Sequence, residues 1–261
     1  MNLDRVLTVA AMHGRDLLRR RLARSIVILL PLVFYFSSEL RPTDPAMDRL
    51  LAENPAERAA ADLWLIATGT IGAGWAIAVA ALFVMIGSRR FDQPLLLAGF
   101  RPTELLMGRV LTVLALSAVI TPLFALVIRS QREIDLPLLT AATALSAVVA
   151  VTIGVLAAAL VPREMEGVLV VIGVIGIQMS GDPQSWMPLW GASQLIRHAA
   201  GVTDAGTFGA ALAHTAIYTV ALLAVAVAVW ARRVNVQPPA RVLPTDATTP
   251  MGYVVTDGRT S

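Results

Sequence analysis

Gly87-Ser88-Arg89-Arg90-Phe91-Asp92-Gln93-Pro94-Leu95-Leu96-Leu97-Ala98-Gly99-Phe100-Arg101-Pro102-Thr103-Glu104-Leu105-Leu106-Met107-Gly108-Arg109 is the stretch on which the reading of the chain turns. It is amphipathic and basic, which suits a membrane surface and not a bilayer interior. The segments on either side are the opposite. Residues 62–86 and 108–128 are apolar runs long enough to cross a membrane as helices. A surface loop of this kind between two spans is a place for a soluble partner to bind.

Working outward, the same pattern predicts further spans over 22–40, 138–160, 167–180 and 207–231. The expectation is an all-α membrane protein of about six transmembrane helices. Pro122 should kink the third span by removing a backbone donor. Ahead of the first span, Leu3, Val6, Leu7, Ala10, Leu17 and Leu18 recur at helical spacing. Residues 1–24 therefore read as a basic amphipathic helix in the interface. No small-residue cleavage site follows the first apolar run, so that run is expected to stay as a span. Residues 25–233 form the six-span domain, and 234–261, rich in Pro and Thr, read as a disordered tail.

Composition agrees with a membrane protein. The chain has 261 residues, of which 56% are hydrophobic and 15% charged, and its mean hydropathy is +0.70. A soluble domain carries roughly 25% charged residues. Cysteine is absent, which excludes disulfides and thiolate metal sites. Lysine is absent too, as a GC-rich bacterial genome would explain. The Arg distribution orients the chain, because cytosolic loops carry the excess. One side holds Arg15, Arg19, Arg20, Arg21, Arg24, Arg89, Arg90, Arg101, Arg109, Arg163, Arg232 and Arg233. The other holds Arg41, Arg49, Arg58, Arg129, Arg132 and Arg197. Both termini and the 87–109 loop are thus expected in the cytosol of a bacterial cytoplasmic membrane. The basic balance reflects these clusters and not nucleic-acid binding.

Several constellations carry two readings each. The loop is either a docking element or a basic anchor for two helices on anionic lipid. Docking would place Phe91, Leu95, Leu96 and Leu97 in a partner groove and Arg89, Arg90 and Arg101 against acids on its rim. Thr68, Gly72, Ala76 and Ala80 recur every four residues, giving a close-packing face or a surface that slides. Trp186, Pro188 and Trp190 before the last span form either an outer lid over an exit path or a cap that only stabilises the fold. Arg163-Glu164-Met165-Glu166 is a second partner contact or a solvated reversal. Ionisable groups are nearly absent from the spans, with only His214 near the start of the last. That counts against proton- or ion-coupled transport and suits an apolar or amphipathic cargo. His13, His198 and His214 have no metal-ligand spacing, and no G-x-S-x-G or H-E-x-x-H motif occurs.

Taken together, the basic leading helix, the Arg90-Phe91-Asp92…Leu95-Leu96-Leu97…Gly99-Phe100…Glu104-Leu105-Leu106-Met107-Gly108-Arg109 loop and the Pro188/Trp190 region resemble the membrane subunit of type-2 ABC exporters. The likeness runs to about residue 233. Asp92 is followed by Gln93-Pro94 where the family pattern has Gly. The resemblance implies that the loop, with Gly99 and Glu104 in it, is a coupling helix docking on an ATPase subunit. It also implies an assembly of two permease halves, homo- or heterodimeric, with two ATPases. The chain has no G-x-x-x-x-G-K-[ST] sequence and no Lys for one. ATP and Mg would therefore be bound by the separate ATPase, and this chain would be a transport subunit and not an enzyme, with no cofactor of its own. The cargo implied is a drug, antibiotic or lipid-like amphiphile. A haem-export-like permease of cytochrome c biogenesis and a non-transporting membrane scaffold remain the alternatives.

Overall fold

The computed structural model describes residues 2–19, 53–131, 134–179, 184–201 and 208–236, with scattered positions between 21 and 36. The expected first span and most of the polar stretch after it fall largely outside these residues, as does the tail beyond Val236.

All regular structure among the described residues is helical. In chain order the helices are α1 (Leu3–Arg19), α2 (Pro55–Gly87), α3 (Asp92–Leu97), α4 (Pro102–Gln131), α5 (Leu136–Leu160), α6 (Glu164–Met179), α7 (Trp190–Ala199) and α8 (Phe208–Val236). A single 3-10 turn, Arg89–Phe91, joins α2 to α3. Four of the helices, α2, α4, α5 and α8, are long and apolar enough to cross a membrane. The chain is thus a multi-pass membrane protein by length and composition. The segment expected as a fifth span is helical, but α6 has 16 residues. At about 1.5 Å per residue it reaches roughly 24 Å, short of a hydrocarbon core of about 30 Å.

Local sequence sets the boundaries. The Asp135 carboxylate accepts from the Leu138 N–H at 3.0 Å and caps the start of α5, and a proline within its first two positions has no donor to lose there. The last expected span continues to Val236 and so takes in the first three residues of the expected tail. α4 runs unbroken through Pro122. Three buried hydroxyls in the spans find partners on their own helices: Thr70 donates to the Ile66 carbonyl, Thr143 to Leu139 and Thr215 to Ala211. Such back-bonding lets polar side chains sit in an apolar interior.

α2 is the centre of the bundle and packs most extensively on α5. The seam is built from small residues. A Cβ added at Gly154 would lie 2.1 Å from the Ala78 carbonyl oxygen and 2.9 Å from the Ala81 Cβ. At Gly74 it would meet the Ser146 hydroxyl at 3.1 Å and Ala150 at 3.6 Å. Backbones therefore approach as closely as side chains allow. Thr68, Gly72, Ala76 and Ala80, the stripe singled out in the sequence, are all buried within the chain. At 100° per residue they lie on the side of α2 away from this seam.

Among the described residues the hydrophobic interior has two parts. One joins Ile66, Phe124, Ile128, Leu139, Leu195, Ile196 and Ala211 at one end of the bundle. The other fills the middle and reaches Leu17, Met85, Leu106 and Val110 at the opposite end. Following the helices up and down, the 87–109 loop and α1 lie at the second end, and the 184–199 segment at the first.

Candidate functional site

The loop end is built on charge. From the end of α2, Arg89 turns back across the bundle to the end of α5. Its guanidinium donates to the carbonyls of Ala158, Val161 and Pro162, the last two at 3.0 Å. These are carbonyls that a helix end leaves unpaired, and a cation there also complements the helix dipole. Arg89 is thus engaged within the chain and half-buried. Arg90 is exposed, lies over the Phe91 ring at 4.6 Å and reaches Asp16 of α1 at 3.9 Å.

Asp92 opens α3 and pairs with Arg109, two turns into α4. Arg109 is among the most deeply buried side chains, at 1% exposure. Its Nε and Nη1 have no hydrogen-bond partner among the described residues, so Asp92 carries the compensation for a buried cation.

α3 ends in a Schellman motif. The Phe100 N–H donates to the Leu95 carbonyl and the Gly99 N–H to Leu96, both at 3.0 Å. Gly99 has φ +83°, a left-handed conformation that glycine adopts without strain. The chain then enters α4 directly. Glu104 is 2% exposed and accepts from the Arg101 N–H at 3.0 Å, the reciprocal half of a capping box. Its other oxygen accepts from the Asn2 N–H at 2.9 Å, and Arg5 lies 3.8 Å away. Arg5 also donates to the Gly99 carbonyl and sits over the Phe100 ring at 5.3 Å. The far side of the loop is in this way fastened to the start of α1. The underside of α1 buries Val6, Val9, His13 and Leu17, while Leu3, Leu7 and Leu18 are exposed.

With both flanks tied down, the outer face of α3 is what remains. Leu97 is 89% exposed, the highest value among the exposed large hydrophobic residues. Gln93, Pro94, Ala98, Gly99 and Arg101 are exposed beside it, whereas Phe91, Leu95 and Leu96 are half-buried. The sequence reading gave these apolar residues equal weight, and the fold separates them. The Arg163 to Glu166 reversal is solvated, with an exposed 3.3 Å pair between the two residues named.

At the opposite end, residues 184–190 are held by neutral groups. Tight turns at Gln184 and Met187 lead into α7. Gln178, buried near the end of α6, accepts from the Leu189 N–H at 2.9 Å and donates to the Val174 carbonyl at 2.9 Å. His214 on α8 packs edge-on against Trp190 at 5.0 Å and stacks with Tyr218 at 4.6 Å. Its Nε2 donates to the Ser185 carbonyl at 2.9 Å, and the Tyr218 hydroxyl donates to the Trp186 carbonyl. Trp186 is 62% exposed and Pro188 half-buried. Sequence reasoning named the two tryptophans and His214 but not their contact, since 24 to 32 residues separate the partners along the chain.

No protein-family model matches the chain, and no curated protein matches it.

Proposed function

We propose that this chain is the transmembrane subunit of an ATP-driven exporter for a hydrophobic or amphipathic compound, with about six spans, α6 a short one, and a cytosolic loop, 87–109, that docks a separately encoded ATPase. The observation that carries this reading is the build of the loop. It is fastened to α5 through Arg89, to α4 through Asp92 and Arg109, and to α1 through Glu104 and Arg5, yet it presents Leu97 to solvent. A loop that only anchored helices to lipid would need neither a buried ion pair nor a Schellman closure. A loop that transmits force needs both a rigid base and a free apolar contact.

In this mechanism the ATPase pair closes on ATP, pushes on α3, and tilts α2 and α4 as one body with α1. The lid end opposite then opens a path between two permease halves. An amphipathic cargo suits the walls, because the described spans carry no ionisable group between Arg109 and Arg129 on α4 and none on α5.

Purification of the tagged chain from its native membrane in mild detergent tests the reading. A stoichiometric ATPase should accompany the wild type and be lost with Leu97→Asp while the variant remains monodisperse. An ATPase that stays with Leu97→Asp, or none with the wild type, contradicts it. Leu97 is a cleaner position than Phe91 or Leu96, whose half-buried side chains also support the loop itself.

A further inference from the structure

We infer that His214 is the positioning residue that holds the outer lid, residues 184–199, closed against α8. The gating role of this closure rests on the transport reading, and the closure itself does not. Three features converge on one imidazole. Nε2 donates to the backbone of Ser185 at the start of the lid. The ring is sandwiched, with Trp190 of the lid on its edge and Tyr218 of its own helix on its face. Nδ1 is buried, has no hydrogen-bond partner among the described residues, and faces Gly191, where an added Cβ would come within 3.2 Å.

That last contact explains why the lid lies so low. A Cβ at Gly191 would also sit 2.5 Å from the Ala211 carbonyl oxygen and 2.5 Å from the Thr215 hydroxyl. The first turn of α7 therefore touches the backbone of α8. With no side chain there to fill the gap, His214 reaches both Trp190 and the Ser185 carbonyl. Tyr218, one turn further along α8, repeats the attachment at Trp186. The tethers between α8 and the start of the lid are thus a neutral imidazole–carbonyl bond, a phenol–carbonyl bond and ring stacking. Each is modest alone, and none involves a charge pair. Such a latch is closed at rest and opens when α8 shifts.

The absence of cysteine makes the test direct, since one introduced thiol reports alone. Ser193 lies on the buried face of the lid itself, at 8% exposure, and is replaced isosterically by Ser193→Cys. Maleimide labelling is followed in detergent-purified protein, without ATPase or nucleotide. With His214 intact the thiol should label slowly. His214→Ala should speed labelling roughly ten-fold, the size expected for losing one neutral hydrogen bond and its ring contacts. His214→Phe keeps the rings and should fall between, and His214→Gln restores a donor and should return toward the slow rate. Equal rates in wild type, His214→Ala and His214→Phe would overturn the proposal. So would a Gln variant as fast as Ala, because a packing role alone predicts no rescue by a donor. Should the Ala variant not purify as a folded species, the Phe and Gln pair decides. Because no partner is present, a working latch with no co-purifying ATPase would sink the transport reading and leave the latch standing.

Discussion

The two ends of the bundle are held together by different chemistry. At the loop end, Arg89, Asp92, Arg109, Glu104 and Arg5 join four segments through ionic and charge-assisted contacts, two of them centred on side chains that are almost fully buried. At the lid end, Gln178, His214 and Tyr218 hold the cover through neutral hydrogen bonds and stacking. Charge-assisted bonds are about twice as strong as neutral ones. On the transport reading proposed above, a push applied at the loop end would be passed on intact, and the joint that yields would lie at the other end. Rigidity where force enters and compliance where the path opens is the division of labour that such a reading requires.

The largest effect should come from the stiff end. Asp92→Ala strands the Arg109 cation in the interior and should cost about 3–5 kcal/mol, the usual result of breaking a buried pair from one side. Thermal denaturation in detergent measures it, and a loss under about 1 kcal/mol would remove the contrast between the ends. Next comes Gly191→Ala at the compliant end. Its Cβ collides with the backbone of α8, so a cost of about 1–3 kcal/mol is expected from overpacking. The damage should be local: hydrogen exchange should rise over 184–199 and stay unchanged over 87–109. Exchange spreading into the loop would show that the ends are not separable. Glu104→Gln weakens the acceptor shared by the Asn2 and Arg101 amides. Faster exchange is expected at the start of α1 and of α4, with α5 unaffected. The smallest effect belongs to Asp16→Asn, which weakens a 3.9 Å pair between the half-buried Asp16 and the exposed Arg90 and should change stability by less than about 1 kcal/mol.

Much of the fold was legible because apolar runs and Arg clusters are local signals. The helices over 62–86, 108–128, 138–160 and 207–231 stand where the hydropathy put them, extended by a few residues at their ends. The small-residue face was harder. α2 is 94% buried over its most apolar stretch, against 11% for α8. A helix apolar on every side gives no periodicity to tell one face from another. Gly72 and Ala76 therefore looked equivalent to Gly74 and Ala78, and only the position of Gly154 on α5 distinguishes them. The expected fifth span, 167–180, stands as α6, Glu164–Met179, a helix of 16 residues whose last turn carries Gln178 with its amide turned to Leu189.

The loop shows the same division. Its basic, amphipathic character was plain, and so was its place between two spans. Which arginine stays exposed was not, because Arg89 turns to carbonyls about 70 residues away in sequence. In a helix of six residues, Leu95, Leu96 and Leu97 differ only in phase. The Schellman closure at Gly99 and the anchors at Asp92 and Glu104 fix that phase and turn Leu97 outward.

A photo-reactive amino acid in place of Leu97, irradiated in native membranes and followed by mass spectrometry of the adduct, tests the central claim most directly. The account predicts a single protein adduct that carries a nucleotide-binding ATPase. Adducts with lipid alone, or with a protein that has no nucleotide-binding site, would contradict it.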